Sequence, residues 1–274
     1  MNFYKKLDHI TQKNKSFLCV GLDPDLKSLP EVLSDKKNPF FEFNREIIDA
    51  TADLVCSYKP QNAYYVAEGF ERDLEMTFEY LNDTYPDVVT ILDSKRGDID
   101  STAKQYARES FDRYGADSVT LNAYMGKDVI TPFLEYENKG LFLLCKTSNP
   151  HGGDFQDLLV KGASGDEPLY QHLARKVSKE WNQKNNLGLV VGGTYIEALK
   201  HLRQLDPNLP LLIPGLGAQG GDLNQILETA KHLKNKRIIV NASRSIIYAG
   251  KGADFAAKAR QKALDYHNVM KSFI

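Results

Sequence analysis

The segment from Val88 to Ala103 reads VVTILDSKRGDIDSTA and contains a strand, a turn and the start of a helix. Apolar and mostly β-branched residues run from Val88 to Leu92, as in a strand that is buried on both faces. Polar residues follow as far as Gly97, which lets the chain turn, and residues 100–102 have the hydroxyl and carboxylate groups typical of a helix start. The segment therefore predicts one β/α unit with charged residues at the carboxyl end of its strand.

The same unit recurs along the whole chain. Eight short apolar runs predict strands at Phe17–Leu22, Leu54–Tyr58, Val88–Leu92, Ser118–Leu121, Leu141–Cys145, Leu187–Val191, Leu211–Ile213 and Ile238–Val240. Helical spacing predicts helices at Phe41–Ala52, Glu71–Asn82, Ser101–Tyr114, Leu169–Asn185, Tyr195–Gln204, Asp222–Lys231 and Ala253–Lys271. Alternating units imply a parallel sheet, and either an open doubly wound sheet or a closed barrel would fit; the count of eight favours a (β/α)8 TIM barrel.

The length of 274 residues suits one such barrel. We expect a single (β/α)8 domain over residues 1–274, with a short N-terminal helical extension at about residues 1–14. The segment Asn149–Pro168 is predicted to be a long loop after the fifth strand. Loops of this length in compact domains are usually either functional or disordered.

Composition limits the possible partners. The 35 Lys and Arg residues nearly balance 36 Asp and Glu residues, so no global field favours nucleic acid or an anionic membrane. The chain has no apolar stretch of signal-peptide or membrane-spanning length, which predicts a cytoplasmic location. Three isolated cysteines in apolar runs are expected to be reduced core residues, and six scattered His residues show no spacing typical of a metal site.

The residues at the strand ends indicate where a site would lie, because active sites in such barrels occupy the carboxyl end. The carboxyl ends of the eight predicted strands include small or polar residues, in the segments Gly21–Asp23, Tyr58–Pro60, Asp93–Lys95, Asn122–Ala123, Lys146–Ser148, Gly192–Thr194, Pro214–Gly217 and Asn241–Arg244. Turn chemistry explains any one of these ends. It does not explain the joint occurrence of Asp23, Lys59, Asp93 and Lys95, so we expect a charged site there.

The third strand predicts how two of these charges are placed. Side chains alternate faces along a strand, so Val89, Ile91, Asp93 and Lys95 share one face. Asp93 and Lys95 are therefore expected to project together into the barrel mouth. Asp98 follows the turn and is either a cap residue or a member of the same site, and the residue pattern leaves both possibilities open.

A phosphate site is predicted on the opposite side of the mouth. Four glycines between residues 215 and 221 would let backbone N–H groups approach an anion, and Asp222 is expected to open a helix beside them. Arg244, after the eighth strand, supplies a planar fork suited to phosphate oxygens. Plain tight turns would also use these glycines, but barrel phosphate sites commonly form after strands seven and eight.

The segment ILDSKRGDIDSTA resembles the D-x-K-x-x-D-I-x-x-T signature of orotidine 5'-monophosphate decarboxylases. Further elements similar to the bacterial members with longer chains are FLCVGLDPD, YKPQNAYY, VTLNAYMG, KTSNP, VVGGT, PGLGAQGG and NASRSIIYAG, in that order. Related sugar-phosphate decarboxylases also carry the D-x-K-x-x-D part of this signature, whereas the other seven elements make the resemblance specific. Asp100 departs from the small residue, commonly Gly, of most members, and we expect no loss of activity from it.

The resemblance implies a cofactor-free decarboxylation of orotidine 5'-monophosphate (OMP) to UMP and carbon dioxide, the last step of UMP biosynthesis. It implies a catalytic network of Lys59, Asp93, Lys95 and Asp98, in which Lys95 stabilises and protonates C6 of the ring. Asp98 and Thr102 would reach into the site of the second subunit of a homodimer. The substrate-binding residues that it implies are Asp23 with Lys59 on the ribose hydroxyls, Thr102, Asn122, Ser148 on the pyrimidine amide edge, and Gln219, Gly220 and Arg244 at the phosphate.

Two other functions remain to be weighed. A sugar-phosphate decarboxylase or aldolase of the same barrel type would use Mg²⁺ to stabilise an enediolate. Such a site needs an additional carboxylate near the second strand end, where this chain has Lys59. A non-catalytic phosphate-binding barrel would have no use for four charges in its mouth, since unpaired charges there are costly. Ser148 could also be a turn residue without a function.

Overall fold

The computed structural model describes residues 1–162, 165–216, 222–231 and 236–274. The strands of this part of the chain are β1 (Leu18–Leu22), β2 (Ser57–Pro60), β3 (Val89–Arg96), β4 (Ser118–Leu121), β5 (Gly140–Lys146), β6 (Leu159–Gly162), β7 (Gly165–Pro168), β8 (Leu187–Val191), β9 (Leu211–Pro214) and β10 (Ile238–Ala242). Eight of them close into a parallel barrel in the order β1, β2, β3, β4, β5, β8, β9, β10. The predicted TIM barrel is thus confirmed, and the open sheet is excluded.

Helices follow the strands and cover the barrel. They are α1 (Phe3–Asn14), α2 (Pro39–Thr51), α3 (Asn62–Glu68), α4 (Glu71–Thr84), α5 (Asp100–Arg108), α6 (Gly153–Gln156), α7 (Leu169–Lys176), α8 (Ile196–Leu205), α9 (Leu223–Glu228), α10 (Arg244–Ile247) and α11 (Phe255–Met270). Helices α5 and α7 each continue into a π-helical turn, at Glu109–Arg113 and Val177–Trp181. The predicted helices are therefore present, with ends that differ by a few residues.

The N-terminal helix closes the amino end of the barrel. Phe3 of α1 packs edge-on against Phe142, with 5.7 Å between the ring centroids. The Tyr4 hydroxyl donates a hydrogen bond of 2.6 Å to the backbone oxygen of Leu187, the first residue of β8. Gly140 opens β5 directly beneath the Phe3 ring, and a Cβ there would lie 2.5 Å from that ring. The extension predicted for residues 1–14 therefore plugs one end and leaves the carboxyl end free.

The third strand is longer than predicted. It continues past Leu92 to Arg96, and its pairing with β4 shifts register between these two residues. Lys95 lies at the shift with a φ of 49°, in the left-handed region. Pairing resumes at Arg96, whose backbone oxygen accepts a 2.8 Å hydrogen bond from the Asn122 N–H. Polar side chains ended the apolar pattern at Leu92, but the strand continued through the irregularity to Arg96.

The segment Asn149–Pro168 is not the plain loop that was predicted. It contains helix α6 and the antiparallel hairpin of β6 and β7, in which Leu159 pairs with Pro168 and Val160 with Glu167. Residues 163–164 lie outside the described part of the chain. The hairpin strands are exposed or half-buried, so they lack the apolar pattern that would have predicted them.

The start of α5 also differs from the prediction. Hydroxyl or carboxylate capping was expected at residues 100–102, but the capping residue is Ile99 and no side-chain hydrogen bond caps the helix. Asp100, the first helical residue, has a φ of 50°. Glycine adopts this left-handed conformation at no steric cost, which accounts for the Gly common at this position in the family that the segment resembles. Aspartate tolerates it better than most other residues.

The three cysteines are buried and unpaired, as expected for core residues. None of the helices in the described ranges combines the length and the apolar character that a membrane crossing requires.

Candidate active site

The carboxyl end of the barrel collects the charged residues that the sequence singled out. Gly21 pairs with Lys59 across β1 and β2, and Ser57 pairs with Val89 across β2 and β3. Side chains paired in this way point to the same face of the sheet, and residues two apart along a strand share that face. Lys59 and Asp93 consequently face the interior of the barrel, one layer below its rim.

Asp93 is the centre of an ion-paired cluster. Its Oδ2 lies 2.6 Å from Lys59 Nζ, and its Oδ1 lies 2.6 Å from Lys95 Nζ. The Thr120 hydroxyl donates a further hydrogen bond of 2.8 Å to Oδ1. Asp93 and Lys59 are only 6% and 5% exposed, whereas 43% of the Lys95 side chain is exposed. Lys95 is therefore the most exposed member of the cluster.

The irregular end of β3 aims Lys95. The Lys95 N–H donates a 3.0 Å hydrogen bond to Thr120 Oγ1 instead of joining a regular ladder. Such bulges re-aim side chains next to active sites. Thr120 thus holds both the carboxylate of Asp93 and the backbone of Lys95. Sequence reasoning missed this residue, although the polar alternation of Ser118 and Thr120 along an inward face was a usable signal.

The electrostatic environment keeps the cluster ionised. Burial opposes the charged form of Asp93, but the ammonium groups of Lys59 and Lys95 outweigh it and hold the Asp93 pKa well below its usual range. Burial likewise opposes the charged form of Lys59, but the carboxylates of Asp93 and Asp23 outweigh it and raise the Lys59 pKa above its usual range. Both groups therefore carry a fixed charge throughout the neutral range of pH.

Removing one partner of this buried ion pair should lower the stability of the fold. We expect Asp93→Ala to lower the free energy of unfolding by about 3–5 kcal/mol, because it removes the ion-pair partner of the buried Lys59 ammonium. Urea unfolding at pH 7 measures the change. The matched control is the double variant Lys59→Met/Asp93→Leu, which removes both charges and should recover most of the lost stability.

The same pair predicts a pH dependence. The Asp93 pKa is depressed in the folded state, so its stabilising contribution is present above the unfolded value of about 4 and is lost as the pH falls toward the folded value. The Lys59 pKa is raised, so its contribution is lost only at pH above about 10. The double variant should show less of the acid loss than the wild type. Identical acid profiles would contradict the proposed strength of the pair.

Asp23 lies on the same side of the mouth as Lys59. It follows β1, is half-buried, and contributes to the raised pKa of Lys59. Its Oδ1 is buried and has no hydrogen-bond partner among the described residues. The structure therefore brings Asp23 and Lys59 together, as expected, and leaves one carboxylate oxygen available for a ligand.

Asp98 does not join the cluster of its own chain. Its Oδ1 accepts a 2.8 Å hydrogen bond from the N–H of Ile99, and within the described ranges its side chain forms no ion pair. Thr102 is exposed on the first turn of α5. Three of the four predicted catalytic residues therefore meet in one chain, and the fourth, Asp98, forms no ion pair with this cluster.

Asn122 and Ser148 lie at the ends of β4 and β5. Asn122 is exposed, and its Oδ1 accepts a 3.1 Å hydrogen bond from the N–H of Tyr124, which shapes the turn after β4. Ser148 is half-buried and packs against Gly192 after β8, where a Cβ would lie 2.8 Å from the Ser148 Cβ. Both residues are at the rim, on the side of the mouth formed by β4, β5 and β8.

Side-chain contacts of Lys146 and Gln156 hold the segment that carries Ser148. Lys146, at the end of β5, is 4% exposed and donates a 2.6 Å hydrogen bond to Asp157 while its Nζ lies 4.7 Å from the ring centroid of Tyr195. Gln156 accepts from the Thr147 N–H and donates to the Thr147 hydroxyl, at 2.9 and 2.7 Å. These contacts tie residues 147 and 156–157 to the barrel wall.

The predicted phosphate side is described only in part. Gln219 and Gly220, with the rest of residues 217–221, lie outside the described part of the chain. Asp222 begins α9 as predicted, because its side chain accepts from the N–H groups of Asn224 and Gln225 at 2.9 and 3.3 Å. Arg244 is exposed at the start of α10, and its guanidinium forms no ion pair with a described residue.

The chain resembles known proteins over nearly all of its length. A model of the Orotidine 5'-phosphate decarboxylase / HUMPS family matches residues 16–259. An orotidine 5'-phosphate decarboxylase from Verminephrobacter eiseniae is 49% identical over 264 residues, 96% of each chain, and one from an Azoarcus species is 46% identical over 273 residues, 100% of each chain. The solved structure of Leishmania donovani OMP decarboxylase superposes with a TM-score of 0.81 at 32% identity and covers 99% of each chain.

Proposed function

The chain belongs to the Orotidine 5'-phosphate decarboxylase / HUMPS family and is a decarboxylase of pyrimidine biosynthesis, and we propose that it converts OMP to UMP and carbon dioxide without a cofactor. The observation that carries the proposal is the ammonium of Lys95, held 2.6 Å from the buried carboxylate of Asp93 and half-exposed at the barrel mouth. The relatives named orotidine 5'-phosphate decarboxylase supply the identity of the substrate.

The reaction requires a fixed positive charge. When the bond between C6 and the carboxylate breaks, the electron pair remains at C6, and the ring offers no electron sink for it. Interactions that are stronger in the transition state than in the ground state accelerate the step, and an oriented ammonium is such an interaction. Lys95 stabilises the developing carbanion and then transfers a proton to C6 as general acid.

Asp93 serves mainly to orient Lys95. Repulsion between its carboxylate and that of the substrate would contribute about 4 kcal/mol at 4 Å and an effective dielectric near 20. Enzymes lower their barriers by about 8–23 kcal/mol, so this repulsion cannot supply the rate enhancement alone. Both oxygens of Asp93 are already bonded, to Lys59 on one side and to Lys95 and Thr120 on the other. A carboxylate in that position fixes the ammonium before the substrate binds.

The remaining predicted residues hold the substrate. Asp23 and Lys59 bind the ribose hydroxyls, and Ser148 reads the amide edge of the pyrimidine. Gln219, Gly220 and Arg244 bind the phosphate, while Thr102 and Asn122 complete the rim. Binding a phosphate far from the reacting carbon can supply energy that orders the loop over the site. The guanidinium of Arg244 is exposed and forms no ion pair with a described residue, which supports its part in this proposal.

The enzyme acts as a homodimer in this proposal. Asp98 lies outside the cluster of its own chain, where its carboxylate accepts a hydrogen bond from the N–H of Ile99 and forms no ion pair with a described residue. In a dimer with two-fold symmetry, Asp98 and Thr102 of each subunit reach the cluster of the other subunit. Asp98 would then place a second carboxylate beside Lys95 and complete the alternation of charges.

Mixing two inactive variants tests the shared site. We expect Lys95→Ala and Asp98→Ala to be inactive alone, because each leaves every site without one member of the network. After subunit exchange, about half of the dimers are hybrids with one intact site, so activity should return to about one quarter of wild type. An exchange confirmed by native mass spectrometry that restores no activity would contradict a site shared between subunits.

Conversion of OMP in the presence of EDTA tests the function itself. Loss of OMP absorbance at a rate unaffected by EDTA supports the proposal. If OMP is not turned over, the Mg²⁺-dependent sugar-phosphate reaction is the next to assay. The ion pair between Lys59 and Asp93 disfavours that reaction, because a metal would need the Asp93 carboxylate as a ligand and Lys59 already binds it. Tight binding of OMP without turnover would instead indicate a non-catalytic phosphate-binding protein.

A further inference from the structure

The wall of the mouth between β1 and β10 holds three polar atoms that have no hydrogen-bond partner in the described part of the chain. They are Asp23 Oδ1, Asn241 Oδ1 and Ser243 Oγ, each buried and without a hydrogen bond to any described residue. Buried polar groups are almost always paired, so several orphans in one place require an explanation. A ligand that supplies the missing hydrogen bonds is such an explanation.

The register of the strands places these groups on the inward face. Asn241 pairs with Cys19 across β10 and β1, and Gly21 pairs with Lys59 across β1 and β2. A Cβ at Gly21 would lie 3.3 Å from Asn241 Oδ1 and 2.7 Å from Ser243 Cβ, so the missing side chain makes room for both. Asn241 is 8% exposed. Its amide is thus buried in the barrel beside the layer that contains Lys59.

We propose that Asn241 is a further substrate-binding residue, whose side-chain amide hydrogen-bonds a ribose hydroxyl of the nucleotide together with Asp23. The inference rests on the proposed function and extends it by one residue. Because the side-chain amide of asparagine contains both a donor and an acceptor, it suits a hydroxyl, which also donates and accepts. Ser243 adds a second neutral group to the same small pocket.

The position of Asp23, Asn241 and Ser243 fits the ribose better than the phosphate or the ring of the substrate. The carboxylate of Asp23 would repel a phosphate, and the exposed guanidinium of Arg244 lies one residue beyond Ser243 to receive it. The reacting ring belongs beside Lys95 on β3, on the other side of Lys59. The ribose is the part of the nucleotide that lies between these two ends.

Substrates that lack one hydroxyl test the contact directly. We expect Asn241→Ala to raise KM for OMP about 10-fold with a smaller change in kcat, because the lost hydrogen bond is made in the ground state as well. With the analogue that lacks the bound hydroxyl, either 2'-deoxy-OMP or 3'-deoxy-OMP, the variant and the wild type should have the same KM. This non-additivity identifies a direct contact. Binding of UMP, measured by calorimetry, should weaken by a similar factor.

Two further variants separate binding from folding. Asn241→Ser keeps a small hydroxyl at the position, and its KM should be intermediate if Asn241→Ala proves too unstable to assay. Asn186→Ala is the matched control, since Asn186 is 0% exposed and also has an orphan Oδ1, but it precedes β8 at the amino end of the barrel. It should lower the melting temperature and leave KM unchanged.

The outcomes distinguish this inference from the function on which it rests. Turnover of OMP by the wild-type enzyme tests the function alone. If the wild type is active and the Asn241 variants lose the same factor on OMP and on both deoxy analogues, or lose nothing, the contact with the ribose does not exist.

Discussion

Lys95→Ala is expected to lower kcat for OMP by at least about 10⁴-fold, with little change in stability. A general acid contributes roughly 10²–10⁴-fold, and removing even one neutral hydrogen-bond donor from a developing anion costs about 10²–10³-fold. Lys95 has both roles in the proposed mechanism. The variant should still fold, because Asp93 keeps the buried ammonium of Lys59 as its partner.

The measurement is loss of OMP absorbance in the presence of EDTA, at enzyme concentrations high enough to detect the residual rate. Lys95→Arg separates the two roles: arginine keeps the positive charge, but its guanidinium does not lose a proton in proteins. It should therefore remain severely impaired. Lys200→Ala, which removes an exposed lysine of α8 that pairs with Glu197, is the matched control and should be fully active. Near-normal turnover by Lys95→Ala would contradict the assignment of Lys95 as the general acid.

Arg244→Ala has the second largest expected effect, a loss of kcat/KM for OMP of about 10²–10³-fold. A planar guanidinium forms two parallel hydrogen bonds with a phosphate, and hydrogen bonds to charged groups contribute about 1.5–3 kcal/mol each. Arg244 begins α10 directly after β10, is exposed, and has no ion pair with a described residue. Its removal should therefore weaken the complex without disturbing the fold.

The phosphate-free substrate orotidine isolates this contribution. The wild type should process orotidine poorly, because binding energy from the phosphate is no longer available to order the site. Arg244→Ala should then be no worse than the wild type on orotidine. Arg72→Ala, which removes an exposed arginine from α4, should behave as wild type on both substrates. If Arg244→Ala loses as much on orotidine as on OMP, the residue acts through the fold and not through the phosphate.

Local patterns were sufficient for the barrel. The eight barrel strands and the seven predicted helices are recognised from residues that are close in sequence, and the strands at Ser118–Leu121 and Leu187–Val191 have the predicted bounds. The failures have local causes as well. The hairpin of β6 and β7 is solvated and lacks an apolar period, and the polar side chains at the end of β3 concealed its last four residues, Asp93–Arg96. Secondary structure follows hydrophobic periodicity only where one face is buried.

The location of the site was predictable because it lies at the ends of the predicted strands. The sequence indicated that Lys59, Asp93 and Lys95 would face the barrel mouth, because they follow strands of a β/α repeat. It gave no indication that Thr120 bonds both Asp93 and Lys95, or that Lys146 binds Asp157 instead of entering the mouth. Register shifts within β3–β4 and β5–β8 decide both arrangements, and neither shift is encoded by a local pattern.

The sequence by itself thus determined the alternation of strands and helices, the end of the barrel at which charges collect, and the family that the chain resembles. Only the tertiary structure decided which charges meet: Lys59 and Asp93 are 34 residues apart in sequence, and Asp93 and Thr120 are 27 apart. The physical reason is that side-chain direction along a strand is a local property of the backbone. The register between strands depends instead on bulges and on packing between distant segments, which exist only once the barrel has closed.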